Sequence, residues 1–245
     1  MRFTGQLCVY CGSAVSTKTG DHIFARSLLP IRERGHIPKV PCCKDCNGKK
    51  ASLEHYLAST LPLASREEGP SEGASEAVRR LKKNLSLSRD MVQGAIRVID
   101  PISESHEETF AFPFETRKLR EYANLLAIGL NFHALARRLS HGDGATSHFV
   151  TQHTDLSLLW QYFHQMEGIS IVGQIGGTGL QYEALASSDE PFISIWRFSF
   201  FGGVLFGSKR GGLSNVIWSF LMTDDQLLNN EELFSSDSIE RVGEL

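Results

Sequence analysis

The sequence predicts an α+β fold, in which a small cysteine-rich segment precedes a long helix and an antiparallel sheet. Three observations predict it. Two C-x-x-C pairs, Cys8 with Cys11 and Cys43 with Cys46, lie within the first 50 residues. An amphipathic helical pattern covers residues 116–141, and strand-like apolar runs separated by glycines follow it. A helix followed by consecutive strands favours an antiparallel sheet over a doubly wound parallel one.

Length and composition are those of a folded globular protein. The 245 residues are 41% hydrophobic and 22% charged, which is ordinary globular usage and allows one or two domains. No run reaches the roughly 20 apolar residues of a membrane helix, and the start MRFTGQLCVYCG lacks the apolar stretch of a signal peptide. We therefore expect a cytoplasmic protein without membrane contact.

Net charge is divided unevenly along the chain. Residues 1–60 hold nine Lys and Arg against four Asp and Glu, a balance of +5. Residues 61–245 hold 16 against 24, a balance of −8. The basic N-terminal segment is compatible with nucleic-acid binding, although a solvated basic face explains it equally well.

The cysteine pairs indicate a metal site. In a cytosolic protein such pairs are typical of metal ligands, and four thiolates form a tetrahedral structural Zn²⁺ site that closes a small domain. We therefore predict Cys8, Cys11, Cys43 and Cys46 as zinc ligands. Cys42 falls one residue outside this spacing and is either a spare buried thiol or an alternative ligand. Catalytic redox thiols are the competing interpretation of the pairs.

A polar stretch divides the chain. Residues 64–76, ASREEGPSEGASE, are rich in Gly, Ser and Glu without apolar periodicity, which is typical of a linker. The sequence thus predicts a metal-closed domain over residues 1–63 and an α+β domain over residues 77–245. Within the second domain we expect a helix over about 76–86, and the Gly-Gly at 176–177 predicts a hairpin.

Two weaker signals in the second domain have structural interpretations. The run GGVLFGSKRGG has glycines and a lysine, but it lacks the spacing of a phosphate-binding loop, so a glycine-rich hairpin is favoured. Trp160, Trp196 and Trp218 lie in apolar runs and are predicted to be core residues, not stacking platforms for bases.

An Asp-His pair lies between the two cysteine pairs. Asp21 and His22 follow Gly20 in a segment that is consistent with a short strand, and CNGKKASLEHYL begins a helix at the second cysteine pair. The oxygens of Asp21 and Asn47 would form a hard platform of the kind that Mg²⁺ accepts when waters and phosphate complete its octahedron. The structural alternatives are a turn aspartate, a half-buried histidine and an asparagine that caps the helix.

These motifs in this order, C-x-x-C, then DH, then C-x-x-C-N-x-x-K, resemble the HNH endonuclease family. Its members carry a zinc-stapled ββα-metal finger. This chain resembles the variant of the family that has Asn in the last motif position. The resemblance covers residues 8 to about 60, a quarter of the chain. The words GDHIFARSLLP, VPCCKDCN and SLEHYL, followed by LLAIGLNFHALARRL, also resemble bacterial proteins that join such a finger to an α+β domain of unassigned role.

The resemblance implies a metal-dependent DNA endonuclease that hydrolyses phosphodiester bonds and leaves a 5′ phosphate. It implies that His22 is the general base and that Asp21 and Asn47 hold one Mg²⁺ or Mn²⁺ ion. The four paired cysteines would hold structural Zn²⁺. Residues expected to contact DNA phosphates without reading sequence are Arg26, Lys49 and Lys50.

One position departs from the family pattern. The middle Asn of the motif is expected about nine residues before Asn47, where this chain has Pro38. In the family that residue braces the loop and helps to orient the base, whereas Pro38 offers only its backbone carbonyl, and His36 is a substitute candidate. A catalytically silent zinc-finger adaptor that binds nucleic acid or protein is therefore the alternative function.

The second domain is expected to restrain the finger. Residues 77–245 would supply specificity, dimerisation as a homodimer, or control through a regulatory partner. A role in phage defence or restriction, with this acidic segment sensing a ligand or partner, is a further interpretation that the residues allow.

Overall fold

A computed structural model of the chain combines helices with an antiparallel sheet, as the predicted α+β class requires. The structure describes residues 3–12, 15, 20–65, 72–100, 108–139, 143–149, 168–177, 179–188, 193–207, 213–214 and 216–223. Trp160 and residues 66–71 of the expected linker lie outside the described residues. Within the described ranges, no helix is both long and apolar enough to cross a membrane.

The N-terminal segment contains a two-stranded ladder followed by a helix. Strand β1 is Asp21–His22 and strand β2 is Lys39–Val40; the two are antiparallel, with Asp21 opposite Val40 and His22 opposite Lys39. Two 3-10 turns connect them, Arg26–Leu28 and Ile31–His36. Helix α1, Lys44–Thr60, follows directly and gives the order β1-β2-α1.

Helix α1 begins at Lys44, two residues before Cys46, at which the segment CNGKKASLEHYL begins. Its N-cap is Cys43, whose sulfur accepts a hydrogen bond from the backbone N–H of Cys46 at 3.4 Å. Asn47 therefore lies inside the first turn, where its own N–H bonds the carbonyl of Cys43 at 3.1 Å. The alternative that Asn47 caps the helix is wrong, because the capping position is already filled by a cysteine.

Three further helices and a hairpin connect this segment to the large sheet. They are α2 Glu72–Lys83, α3 Leu85–Gln93, β3 Ile96–Ile99, β4 Glu108–Ala111 and α4 Thr116–Leu135. The single helix expected over 76–86 is interrupted at Asn84, whose side chain accepts from the N–H of Leu87 at 3.2 Å and caps α3. Helix α2 also begins inside the expected linker.

The large sheet has five antiparallel strands in the order β5-β11-β8-β7-β6. The strands are β5 Asp143–Phe149, β6 Gly168–Ile175, β7 Leu180–Ser187, β8 Ser194–Phe200 and β11 Ile217–Thr223. The predicted hairpin joins β6 to β7, and both of its glycines, Gly176 and Gly177, have positive φ. Strands β9 Phe206–Gly207 and β10 Leu213–Ser214 pair antiparallel on either side of residues 208–212, the part of the predicted glycine-rich hairpin that lies outside the described residues.

One hydrophobic core joins the N-terminal segment to α4 and the sheet. The ring of Phe24, directly after β1, lies 6.3 Å from the ring of Tyr122 on α4 and 6.5 Å from that of Phe200 on β8. Trp196 and Trp218 are buried, as predicted for core residues. The segments expected as separate domains thus share a core, and this packing holds the β1-β2-α1 unit against α4.

Candidate functional site

The four paired cysteines converge on one point. The sulfurs of Cys8, Cys11, Cys43 and Cys46 all lie within 4.8 Å of one another, and the sulfurs of Cys11 and Cys43 are 3.9 Å apart. Zn–S bonds of about 2.3 Å in a tetrahedron place sulfurs about 3.8 Å apart. The cluster therefore has the donor type and the spacing to hold a metal ion such as zinc.

The surroundings of the cluster favour a thiolate at Cys8. Hydrogen bonding with the Cys42 thiol, followed by the backbone N–H groups of Cys43, Cys11 and Tyr10, lowers the pKa of Cys8 to about 4 against the opposing effect of burial. Cys42 itself is fully buried, and its pKa is raised well above the usual value by its hydrogen bond with Cys8 and by burial. Cys42 is thus a neutral thiol beside the four-sulfur cluster.

Asp21 lies on β1 with its carboxylate turned into the protein. Only 7% of the residue is exposed. Its Oδ2 accepts a hydrogen bond from the hydroxyl of Tyr10 at 2.9 Å and lies 3.0 Å from the Nζ of Lys50. Gly20 sets the turn before this strand: its φ is +63°, and a Cβ there would lie 2.6 Å from the carbonyl oxygen of Val40.

Lys50 has a different position from the one predicted for a phosphate contact. Its side chain is fully buried, and its ammonium donates to the carbonyl of His22 at 2.7 Å and pairs with both Asp21 and Glu54. The ring of Tyr122 lies 5.6 Å from the same ammonium. Burial raises the pKa of Glu54, although the nearby Lys50 acts in the opposite direction. In this structure the ammonium of Lys50 is buried, so it is not accessible to a DNA phosphate.

His22 has an accessible side chain on a fixed backbone. Its backbone is paired with Lys39, its carbonyl accepts from Lys50, and the next residue, Ile23, donates its N–H to the carbonyl of Pro38 at 2.9 Å. Burial, followed by the charges of Lys39 and Arg26, lowers the pKa of His22 below its ordinary value. At neutral pH the imidazole is therefore uncharged, which is the form that accepts a proton.

The other predicted site residues are on the surface. Asn47, Lys49 and Arg26 are all exposed. Asn47 lies on α1 three residues before Lys50. Lys50 and its buried contact with Asp21 therefore lie one helical turn beyond Asn47. His36, the candidate substitute for the missing middle Asn, is also exposed, and the backbone carbonyl of Pro38 accepts a hydrogen bond from the N–H of Ile23.

Two residues of the site, Tyr10 and Tyr122, were missed from sequence. Tyr10 contacts Asp21, and Tyr122 of α4 accepts a hydrogen bond from the N–H of Ala25 at 2.9 Å. The position of Tyr10 inside the first C-x-x-C pair was an available signal. Burial and the neighbouring Asp21 raise the pKa of Tyr10, so its hydroxyl stays protonated and is the donor.

No family model, curated protein or solved structure gave a significant match to this chain.

Proposed function

We propose that the chain is a metal-dependent DNA endonuclease of the HNH type, with residues 1–63 as its nuclease finger. The carrying observation is the order β1-β2-α1 closed by four cysteines, with an Asp-His pair on β1 and an asparagine in the first turn of α1. This is the arrangement that the sequence resemblance implies. The proposal thus rests on the order of elements and on which residues they carry.

His22 is the proposed general base. Its lowered pKa keeps the imidazole uncharged at neutral pH, and its side chain is partly exposed, so a water molecule can reach it. A positioned base of this kind contributes roughly 100- to 10,000-fold to a hydrolytic rate. Its backbone is held by Lys39 and Lys50, which limits the directions in which the ring can point.

Asp21 and Asn47 are the proposed holders of a Mg²⁺ or Mn²⁺ ion. Oxygen donors fit these hard cations, and the contacts of Tyr10 and Lys50 are made to Oδ2 of Asp21. When bound, such an ion would stabilise the charge that develops on the phosphate and on the leaving oxygen. Asp21 is fixed in place, whereas Asn47 is exposed at the start of α1 and open to a phosphate from solvent.

DNA contact is assigned to the exposed basic residues beside the finger. Arg26 and Lys49 are exposed and can contact DNA phosphates. Such contacts would position the duplex without reading its sequence. Residues 77–245 are proposed to restrain or direct cleavage, because the phosphate contacts proposed for the finger position DNA without reading its sequence.

A catalytically silent zinc-finger adaptor is the second candidate function. The observation that favours it is the buried Lys50, whose ammonium already neutralises Asp21. A carboxylate paired in this way attracts a divalent ion less strongly. Under this alternative the four cysteines keep their structural role and the exposed basic residues bind nucleic acid or protein.

Cleavage of supercoiled plasmid DNA tests the proposal. The wild-type protein is incubated without added metal, with Mg²⁺ and with Mn²⁺, beside a His22→Ala variant purified in the same way. We expect nicking only with added metal and a loss of about 100-fold or more in His22→Ala. His133→Ala is the matched control, because His133 is exposed on α4 and lies outside the proposed site. Equal cutting by His22→Ala would reject the mechanism, and DNA binding without cutting under any metal would favour the adaptor.

A further inference from the structure

The carboxylate of Asp21 is held from two sides by residues of the two cysteine-bearing segments. Tyr10 lies between Cys8 and Cys11 in the first segment, and its hydroxyl donates to Oδ2 of Asp21 at 2.9 Å. Lys50 lies on α1, which begins at the second cysteine pair, and its ammonium lies 3.0 Å from the same oxygen. The two contacts therefore come from segments that the four-cysteine cluster ties together.

The Tyr10 hydroxyl and the Lys50 ammonium both contact the same oxygen of Asp21, Oδ2. A carboxylate oxygen has two in-plane acceptor positions, which one hydroxyl and one ammonium can fill. Oδ2 of Asp21 is then engaged, and Oδ1 is the carboxylate oxygen that these two donors leave available. A carboxylate locked by two donors cannot rotate to present a different oxygen without breaking both contacts.

Lys50 holds the neighbouring residue as well. Its ammonium donates to the carbonyl of His22 at 2.7 Å, so a single buried cation contacts the two residues proposed for catalysis. Glu54 pairs with the same ammonium from the next turn of α1 and fixes its direction. The zero exposure of Lys50 excludes water from these contacts, which strengthens them.

We propose that Tyr10 and Lys50 form a clamp that positions Asp21 to bind the divalent ion through Oδ1, and that the cysteine cluster sets the clamp by joining its two segments. This inference rests on the proposed nuclease function and names positioning residues for it. Neither residue touches substrate. The clamp explains why a tyrosine inside a zinc knuckle contacts a residue of the proposed active site.

The test uses Tyr10→Phe, which removes one hydroxyl and keeps the ring. Tyr56→Phe is the matched control, because the Tyr56 hydroxyl is also a hydrogen-bond partner, for the N–H of Glu115 at 2.7 Å, but lies outside the clamp. Both full-length variants are measured for zinc content, thermal unfolding, cleavage rate as a function of DNA concentration, and Mn²⁺ binding. Mn²⁺ binding is followed through the electron paramagnetic resonance signal of the free ion, with Asp21→Asn marking the site.

We expect Tyr10→Phe to keep its zinc and to bind Mn²⁺ about 10-fold more weakly, the usual effect of losing a partner that orients a ligand. The kcat should fall by a similar factor at subsaturating Mn²⁺ and recover at high Mn²⁺, with KM for DNA unchanged. Tyr56→Phe should match the wild type in Mn²⁺ binding and in cleavage.

The outcomes separate this inference from the function on which it rests. Wild-type Mn²⁺ affinity and cleavage in Tyr10→Phe, together with cleavage that depends on His22, would overturn the clamp alone. A wild-type protein that neither cuts nor binds Mn²⁺ through Asp21 would overturn both. If the wild type binds Mn²⁺ through Asp21 without cutting, a weaker affinity in Tyr10→Phe supports the clamp while the nuclease proposal fails.

Discussion

The backbone carbonyl of Pro38 accepts a hydrogen bond from the backbone N–H of Ile23 at 2.9 Å. This contact joins the residue after His22 to the position at which the resembled family has its middle Asn. The contact is made by the main chain, and a proline can provide it because proline retains its carbonyl. The departure from the family motif removes a side chain but leaves the loop connected.

Replacing Pro38 with alanine should accordingly leave cleavage within a few fold of the wild type. Alanine offers the same carbonyl, and the main expected effect is a loss of about 0.4–1 kcal/mol in stability, because the unfolded chain becomes more flexible. Cleavage rates and urea unfolding measure the two effects separately. A loss of activity beyond 10-fold would mean that the proline ring has a role in the site.

The cysteine cluster can be tested with a variant pair that differs by one position. Cys43→Ser removes a predicted ligand that is also the N-cap of α1, whereas Cys42→Ser changes a buried thiol outside the four-sulfur cluster. We expect about one zinc per chain in the wild type and in Cys42→Ser, and loss of zinc with local unfolding in Cys43→Ser. Structural zinc contributes folding free energy on the order of 10 kcal/mol.

Elemental analysis and circular dichroism provide the measurements for this pair. If Cys43→Ser retained zinc while Cys42→Ser lost it, Cys42 would be the ligand and the spacing inferred from the two C-x-x-C pairs would be incorrect. An absence of zinc in all three proteins would contradict the metal site itself.

The pH dependence of cleavage should have its acid limb below pH 6.5. If His22 is the general base, its active form is the neutral one, so activity should rise as pH rises through its pKa. Burial lowers that pKa from the ordinary value of about 6.5. Lys39, opposite His22 in the ladder, also lowers the pKa, because its charge disfavours a second cation.

Lys39→Ala should therefore raise the pKa of His22 and shift the acid limb to higher pH. Lys82, exposed on α2, provides a control lysine outside the pair. Rates measured between pH 5 and 8 at saturating Mg²⁺ give the comparison; identical limbs in Lys39→Ala and the wild type would exclude His22 as the group that titrates.

Local patterns predicted the elements that depend on local physics. Helix α4 follows from a 3.6-residue apolar repeat, and the β6-β7 hairpin follows from two adjacent glycines that accept positive φ. The cysteine cluster follows from spacing, since each C-x-x-C pair presents two sulfurs on one short turn. In each case the residues that determine the feature are close together in the sequence.

Features that depend on long-range packing were not predictable in the same way. Lys49 and Lys50 are adjacent and chemically identical, yet one is exposed and the other is fully buried, because only Lys50 faces Asp21 and Glu54. The core shared by the N-terminal segment, α4 and the sheet was not predicted either, because it also depends on long-range packing. Phe24 packs on residues about 100 and 176 positions later in the chain, Tyr122 and Phe200, which no local pattern connects.

The contact between Ala25 and Tyr122 should be measurable in stability. The Tyr122 hydroxyl accepts from the buried N–H of Ala25 and ties the loop after β1 to α4. Tyr122→Phe leaves that N–H without its partner, which costs about 1–3 kcal/mol of unfolding free energy. Chemical denaturation followed by fluorescence provides the number. An unchanged midpoint would mean that water or a backbone shift replaces the bond.

A role of Asn47 in ion binding can be tested separately from a role in helix capping, because Asn47 does not cap α1. Cys43 is the N-cap of α1, and Asn47 is an exposed residue inside the first turn. Alanine is a better helix former than asparagine by roughly 0.5 kcal/mol, so Asn47→Ala should be at least as stable as the wild type and should keep its zinc. A ligand role predicts a different result for activity.

If Asn47 holds the divalent ion, Asn47→Ala should cut at least 10-fold more slowly at low Mg²⁺, with partial recovery at high Mn²⁺. Asn47→Asp keeps an oxygen donor and adds charge, so it should retain ion binding with an altered metal preference. Ser52→Ala, an exposed change one turn further along α1, is the control for effects on the helix. Full activity of Asn47→Ala at low Mg²⁺, in a protein that loses activity in Asp21→Asn, would show that the ion depends on Asp21 with another partner, of which the neighbouring Glu54 is the first to test.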